Sequence, residues 1–201
     1  ENEKYRELRE TFSYWYPNDM RTSSTAHVSN HFIFYLFHHA ALFPEKYHPR
    51  ELMIIGMLIS EGAKMSKSKG NVVPLARIAE KYTADLFRLY IISAADYDTI
   101  LDWRESEIQN LRKKFERFEE IINESISKEK IKDLKKSDLY LINIFRERLS
   151  KASEFMEKYR FRDAVIEIFF NFLNDIKYYE NIEGEERRKG VIPYIMEEWL
   201  K

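Results

Sequence analysis

From Leu101 onward, apolar residues return every three or four positions almost to the end of the chain, a period that only packed helices satisfy. "LDWRESEIQNLRKKFERFEEIINE" sets Ile108, Leu111, Phe115, Phe118 and Ile122 on one face, with Asp102 and Glu105 as a capping box at its start. "SDLYLINIFRERLSKASEFMEKY" repeats the pattern with Leu141, Phe145, Leu149, Ala152, Met156 and Tyr159. "RDAVIEIFFNFLNDIKYYE" is apolar nearly all round, as a central helix requires. "GVIPYIMEEWL" adds Ile192, Ile195, Met196 and Trp199, and the lysine-rich "SKEKIKDLKKS" reads as a solvated connection. Three long helices and a short fourth predict an all-α antiparallel bundle over residues 97–201. It is still apolar near Lys201, so it is expected to be truncated there.

Residues 1–96 mix strand and helix signals. "FSYWY", Phe12 to Tyr16, reads as a strand stopped by Pro17 and Asn18. "STAHVSNHFIFYLFHHAALF" reads as one long helix capped by Ser24 and ended by Pro44. "ELMIIGML" is a continuous apolar run, the pattern of a strand buried on both faces. Pro74 then opens a helix, and "TADLFRLYIISAA" forms another. Strand, helix, strand, loop and helix spell a parallel α/β unit, with the boundary to the bundle expected near Asp96 to Asp102. Lys and Arg total 33 against 34 Asp and Glu, so there is no global basic footprint and any nucleic-acid contact must come from a local patch. Candidates are Arg112, Lys113, Lys114 and Arg117, then Arg146, Arg148 and Lys151, although interleaved Glu116, Glu119, Glu120 and Glu147 suit ordinary pairs along the helix. The sequence has no cysteine, which excludes disulfides and thiolate metal sites and fits a reducing compartment. No apolar run approaches the length of a membrane span.

"EGAKMSKSKGN", Glu61 to Asn71, follows the apolar run directly. Glu61 is the one acid near Lys64, Lys67 and Lys69. Ser66 and Ser68 add hydroxyls, and Gly62 and Gly70 open backbone conformations denied to other residues. Such a loop suits an anion, above all phosphates, and open parallel sheets bind ligands beyond the carboxyl ends of their strands. Among the histidines, His27 and His31 are spaced for one helical face, but "HVSNH" lacks the glutamate of a zinc-protease motif; no protein-bound metal is expected. His38 and His39 read as ordinary packed or surface histidines.

"KMSKS" at Lys64 to Ser68, continued as "KGN", is similar to the second signature of class I aminoacyl-tRNA synthetases. Tyr16–Pro17, Asp19 and Arg21, Asn30–His31, the Asp102–Trp103–Arg104 turn and "AVIEIFFNFLNDIKYYENIEG" resemble the archaeal and eukaryotic type of leucyl-tRNA synthetase, over nearly the whole chain. The resemblance implies the second half of a Rossmann-like nucleotide-binding fold in residues 1–96, followed by a helical tRNA (anticodon)-binding bundle in 97–201. It implies a leucine–tRNA ligase of the cytoplasm that uses ATP, with Mg2+, to activate leucine and then charges tRNA(Leu). Lys67 and Lys64 take the catalytic role at the departing pyrophosphate. Lys64, Met65, Ser66, Lys67, Ser68 and Gly56 are the ATP-binding residues, with Met65 expected chiefly as an anchor, and Asn30 and His31 line the amino-acid and adenylate pocket. Ser24 and Ala26 stand where the family carries glycine and aspartate. A synthetase-derived tRNA-binding module without catalysis is the alternative.

No HIGH tetrapeptide, the family's first signature, occurs in the sequence. The chain is therefore expected to be a C-terminal piece of a synthetase, with an incomplete sheet whose apolar edge at Phe12 and Leu52 favours self-association. By itself it is expected to show no leucine-dependent ATP–pyrophosphate exchange; robust exchange would overturn that expectation.

Overall fold

Phe12 to Tyr16 is not a strand. It closes helix α1 (Glu3–Trp15) in the computed structural model, which describes residues 3–66, 68, 70–72 and 74–201. Tyr5, Leu8, Phe12 and Trp15 recur at helical spacing, and over 13 residues that period outweighs the β-propensity of an aromatic pentapeptide. The Phe12 ring stacks on Tyr16 at 4.8 Å and meets Tyr47 edge-on at 5.3 Å. Packing divides the chain into two units: Glu1–Met57 with Tyr97–Ile100, and Leu58–Asp96 with Leu101–Lys201.

In the first unit, strands β1 (Met20–Ser24) and β2 (Glu51–Ile55) pair in parallel, from Met20 opposite Glu51 to Ser24 opposite Ile55. The connection is a 3-10 turn (Thr25–His27), a π-helical turn (Val28–Phe32) and helix α2 (Ile33–Leu42). The long helix expected from Ser24 is thus shorter: Ser24 ends a strand, and its side chain makes no capping bond. The expected sheet edge moves accordingly, from Phe12 to the strands at Met20 and Glu51. The apolar run "ELMIIGMLIS" is also two strands rather than one. It breaks after Ile55 because Gly56 lies against the Thr99 backbone, where a Cβ would fall 1.6 Å from the carbonyl oxygen. The Gly56 N–H donates to the Tyr97 carbonyl at 2.7 Å, an approach that only glycine permits.

The second unit begins with β3 (Leu58–Ser60), flanked by β4 (Ala63–Lys64), antiparallel, and β5 (Leu101–Trp103), parallel. Helices α3 (Leu75–Lys81) and α4 (Ala84–Ala94) lie between β4 and β5; the Thr83 hydroxyl caps α4 by accepting the Leu86 N–H at 3.2 Å. Then come α5 (Glu105–Ser125), α6 (Lys136–Glu157), α7 (Phe161–Val165), a π-helical turn (Ile166–Asn171), α8 (Phe172–Glu183), α9 (Glu185–Val191) and α10 (Met196–Trp199). The architecture is α/β followed by a helical bundle.

Two apolar cores hold this unit. One joins Ile78, Tyr82, Leu86, Tyr90 and Trp103 to Ile108, Leu111 and Phe169. The other is the bundle proper, with Ile122, Leu141, Phe145, Phe172, Ile176, Ile192, Ile195 and Trp199. The predicted apolar faces supply most of these residues, but Met156 and Tyr159 lie outside the core at the end of α6. Nor do Asp102 and Glu105 form a capping box: Asp102 belongs to β5, and Arg104 precedes α5 without a side-chain cap. The lysine-rich connection is more than solvated. Its Ile131 packs on the bundle core and donates its N–H to Gly190 at 3.1 Å, in space that a Cβ on Gly190 would close.

Asp138 is wholly buried at the start of α6. It accepts the Lys135 N–H at 2.6 Å, the Arg187 Nε–H at 3.0 Å and the Tyr179 hydroxyl. Burial pushes its carboxyl up, but the bonds from Arg187, Tyr179 and Lys135 outweigh it and hold the group below the ordinary range. A folded-state pKa below the unfolded one gives stability that is complete above the ordinary carboxylate range and lost as pH falls through the depressed value. Asp138→Ala should cost about 1–3 kcal/mol near neutral pH, because it leaves the buried Tyr179 hydroxyl and the Lys135 N–H without their acceptor, and should flatten the acid side of the stability profile. Urea unfolding across the acid range checks both.

Candidate functional site

The lysine loop grows out of the β3–β4 hairpin. Glu61 (φ 49°) and Gly62 (φ 74°) both take left-handed backbone, as a two-residue turn between twisted strands requires. Lys64 ends β4 opposite Ile59, and its side chain has no ion-pair partner among the described residues. Met65 turns inward onto the core of Ile78, Tyr82 and Trp103, which is the anchoring role expected of it. The next two contacts come from Asn71. Its Oδ1 accepts the Ser66 N–H at 2.9 Å, and its Nδ2 donates to the Lys64 carbonyl at 3.2 Å. One side-chain amide thus replaces the strand pairing that ends at Lys64. The Ser66 and Ser68 hydroxyls lie 3.1 Å apart, and Gly70 (φ 67°) turns the chain back. Lys67, the main catalytic candidate, and Lys69 lie outside the described residues.

Asn30 and His31 sit on the π-helical turn of the first unit. The Arg21 guanidinium lies 3.5 Å from His31 Nε2, and the His31 ring faces Tyr35 at 6.2 Å. His39 is buried: its Nδ1 lies 2.7 Å from the Tyr35 carbonyl, and its Nε2 meets the Tyr16 hydroxyl. Burial pushes the Tyr35 phenol up, with Tyr16 adding to the effect and Arg21 opposing it. The signal for this polar and aromatic set was in the sequence. His31, Tyr35, His39 and Phe43 recur every four residues, so one helical face stacks them. His27 adjoins this set, with its ring edge-on to His31 at 6.1 Å and its Nδ1 2.6 Å from the Ser23 hydroxyl. Gly56 also lies in this unit, against the Thr99 backbone.

The bundle cations divide sharply. Arg148 pairs with Glu167 and Asp175, both from the segment packed against α6. Arg117 pairs with Glu120 and Glu180 at 2.6 Å each, and Lys151 with Glu147 at 2.7 Å. Arg112 donates to the Lys81 carbonyl at 2.9 Å and lies over the Tyr82 ring. Lys113 and Arg146 have no ion pair among the described residues. Lys114 lies over the Phe170 ring at 4.8 Å and, with Lys113, Arg117 and Lys177, borders a groove of about 390 Å³ floored by Ile121, Leu173 and Ile176.

A strand-borne cationic loop and a helical bundle in one chain define a class, and the comparisons agree. The family model for tRNA synthetases class I (M) matches residues 2–127, more than half of the chain, and the chain belongs to that family. Within it, the chain is 39% identical over its full length to a leucine–tRNA ligase of Thermoplasma volcanium and 40% identical over 97% of its length to that of Staphylothermus marinus. It spans about a fifth of those relatives, 22% and 20% of their lengths. Solved structures share the fold. A ternary LeuRS–tRNA–LeuAMS complex from Agrobacterium radiobacter superposes over 90% of this chain and 26% of that one, with a TM-score of 0.65 at 20% identity. Mycobacterium tuberculosis methionyl-tRNA synthetase bound by methionyl-adenylate superposes over 92% of this chain and 40% of that one, at 0.71 and 17%.

Removing the Asn71 bridge should loosen the loop alone. Asn71→Ala should speed hydrogen exchange at the Ser66 amide about 5- to 10-fold, the value of one ordinary hydrogen bond, and leave the bundle amides unchanged. Unaltered exchange at Ser66 would contradict the bridge.

Proposed function

We propose that this chain carries the KMSKS loop and the adjoining tRNA-docking bundle of a leucine–tRNA ligase. The observation that carries the reading is the joining of a strand-borne Lys64, without an ion pair among the described residues, to a chain 39% identical over its own 201 residues to such a ligase. In this reaction the leucine carboxylate attacks the α-phosphate of ATP, pyrophosphate departs, and the adenylate then esterifies the terminal ribose of tRNA(Leu). Charge builds on the departing pyrophosphate, so cations already in place are the chief help a protein can give. Lys67 and Lys64 supply them. Ser66, Ser68 and Asn71 set the loop, Met65 fixes it to the core, and Mg2+ enters on the phosphates of ATP. Asn30 and His31 border the amino-acid side, and Gly56, just past the end of β2, belongs to the ATP side. Residues 1–96 serve the catalytic half of the ligase and residues 97–201 the tRNA, in the cytoplasm. The edges of the two-stranded sheet β1–β2 are the surface for self-association.

The leaving-group role is tested in the full-length ligase by leucine-dependent ATP–pyrophosphate exchange. Lys67→Ala and Lys64→Ala should each lower the exchange kcat, Lys67→Ala by about 100-fold, the scale of one lost donor to developing charge. An unchanged rate in Lys67→Ala would sink the role.

A further inference from the structure

Asp102 is a strand residue whose side chain leaves its own strand to bond a turn 40 positions earlier. The sheet order is β4–β3–β5, and the registers put Lys64, Ile59 and Asp102 in one row across it. Directly paired residues point to the same face, so Lys64 and Asp102 share a face about 10 Å apart, two strand spacings. The Asp102 Oδ1 accepts the Gly62 N–H at 3.0 Å, and Oδ2 accepts the Arg104 Nε–H at 2.9 Å. The Glu61 N–H completes the clasp by donating to the Trp103 carbonyl at 3.2 Å. β4 is only two residues long, so few backbone bonds fix the strand that carries Lys64. The downstream side of the loop is tied to the same junction. Glu105 accepts bonds from Lys81 and Tyr82 at the end of α3, and Arg112 holds the Lys81 carbonyl.

We infer that Asp102 is a positioning residue for the lysine loop: by holding the Gly62 N–H it fixes the turn from which Lys64 projects, and so places that cation for the reacting phosphates. The inference rests on the function proposed above for Lys64, but its first readout does not. Arg104 braces the carboxylate from the other side, so Asp102 transmits the position of the first bundle helix to the hairpin.

Hydrogen exchange in the 201-residue chain tests the contact. Asp102→Ala should speed exchange at Gly62 and Lys64 about 10-fold, the scale of a lost charge-assisted bond, while the Ile142 and Phe145 amides of α6 stay unchanged. Asp102→Asn keeps an acceptor at Oδ1 and should restore most of the protection. Should the alanine variant fail to fold, Asp102→Glu carries the carboxylate one methylene past the Gly62 N–H and should give the same local loss. Exchange unchanged at Gly62, or raised equally across α6, overturns the inference, as does an asparagine variant no better protected than the alanine one. In the full-length ligase, Asp102→Ala should lower kcat for leucine-dependent ATP–pyrophosphate exchange about 10-fold, with KM for leucine nearly unchanged and rescue by asparagine. If Lys64→Ala leaves that kcat intact while Asp102→Ala still frees the Gly62 amide, the reading of Lys64 fails and the contact stands. If Lys64→Ala lowers kcat and Gly62 exchange does not move, the reverse holds.

Discussion

The second unit depends on the burial of one indole. Trp103 is packed edge-on against Tyr90 at 5.1 Å and Tyr82 at 6.3 Å, with Phe87 at 6.0 Å. Tyr90 and Phe87 belong to α4 and Tyr82 directly follows α3, so one residue of a three-residue strand gathers both helices that follow the lysine loop. Aromatic rings at these angles gain about 0.5–1.5 kcal/mol per pair beyond the area they bury, and that suffices to hold strands too short to be stable alone. With Trp103 seated, β5 is fixed, β3 pairs with it, and α5 starts in a defined direction.

That dependence explains what could be read from the sequence. Helices α5, α6 and α8 were legible because their apolar period persists for 12 residues or more, long enough to outvote local propensities. Of the strands, β2 and β3 were legible only as one apolar run, and β1, β4 and β5 were not, since they run from two to five residues and leave no alternation to detect. Phe12 and Tyr16 misled because a pentapeptide of aromatic residues looks alike in either structure. The break at Gly56 was hidden for another reason: its cause, the Thr99 backbone, lies 43 positions away and has no local trace.

The candidate site divides the same way. The loop was legible as a contiguous string, and Met65 as its anchor followed from hydrophobicity alone. The Asn71 bridge was not, because an asparagine near a glycine reads as turn chemistry of its own rather than as a partner for Ser66 and Lys64. The charged surface of the bundle follows the pairing that its interleaved glutamates suit for Lys151 with Glu147 and Arg117 with Glu120, whereas the partners of Arg148, Glu167 and Asp175, come from a neighbouring segment. Position along a helix gives the face of a charge but not a partner from another segment.

The contact between Gly56 and Thr99 bears on how this chain can be cut. Residues 97–100 lie between α4 and β5 in sequence, yet they pack with the unit that ends at Met57. A break introduced at residue 96 to free the bundle would strip the first unit of the backbone that fits against Gly56. In the same stroke it would part β3 from β5, so neither piece would keep the surface it had in the whole. The two units are interleaved in the chain, and dissecting them cleanly calls for a relinked order of segments rather than a single cut.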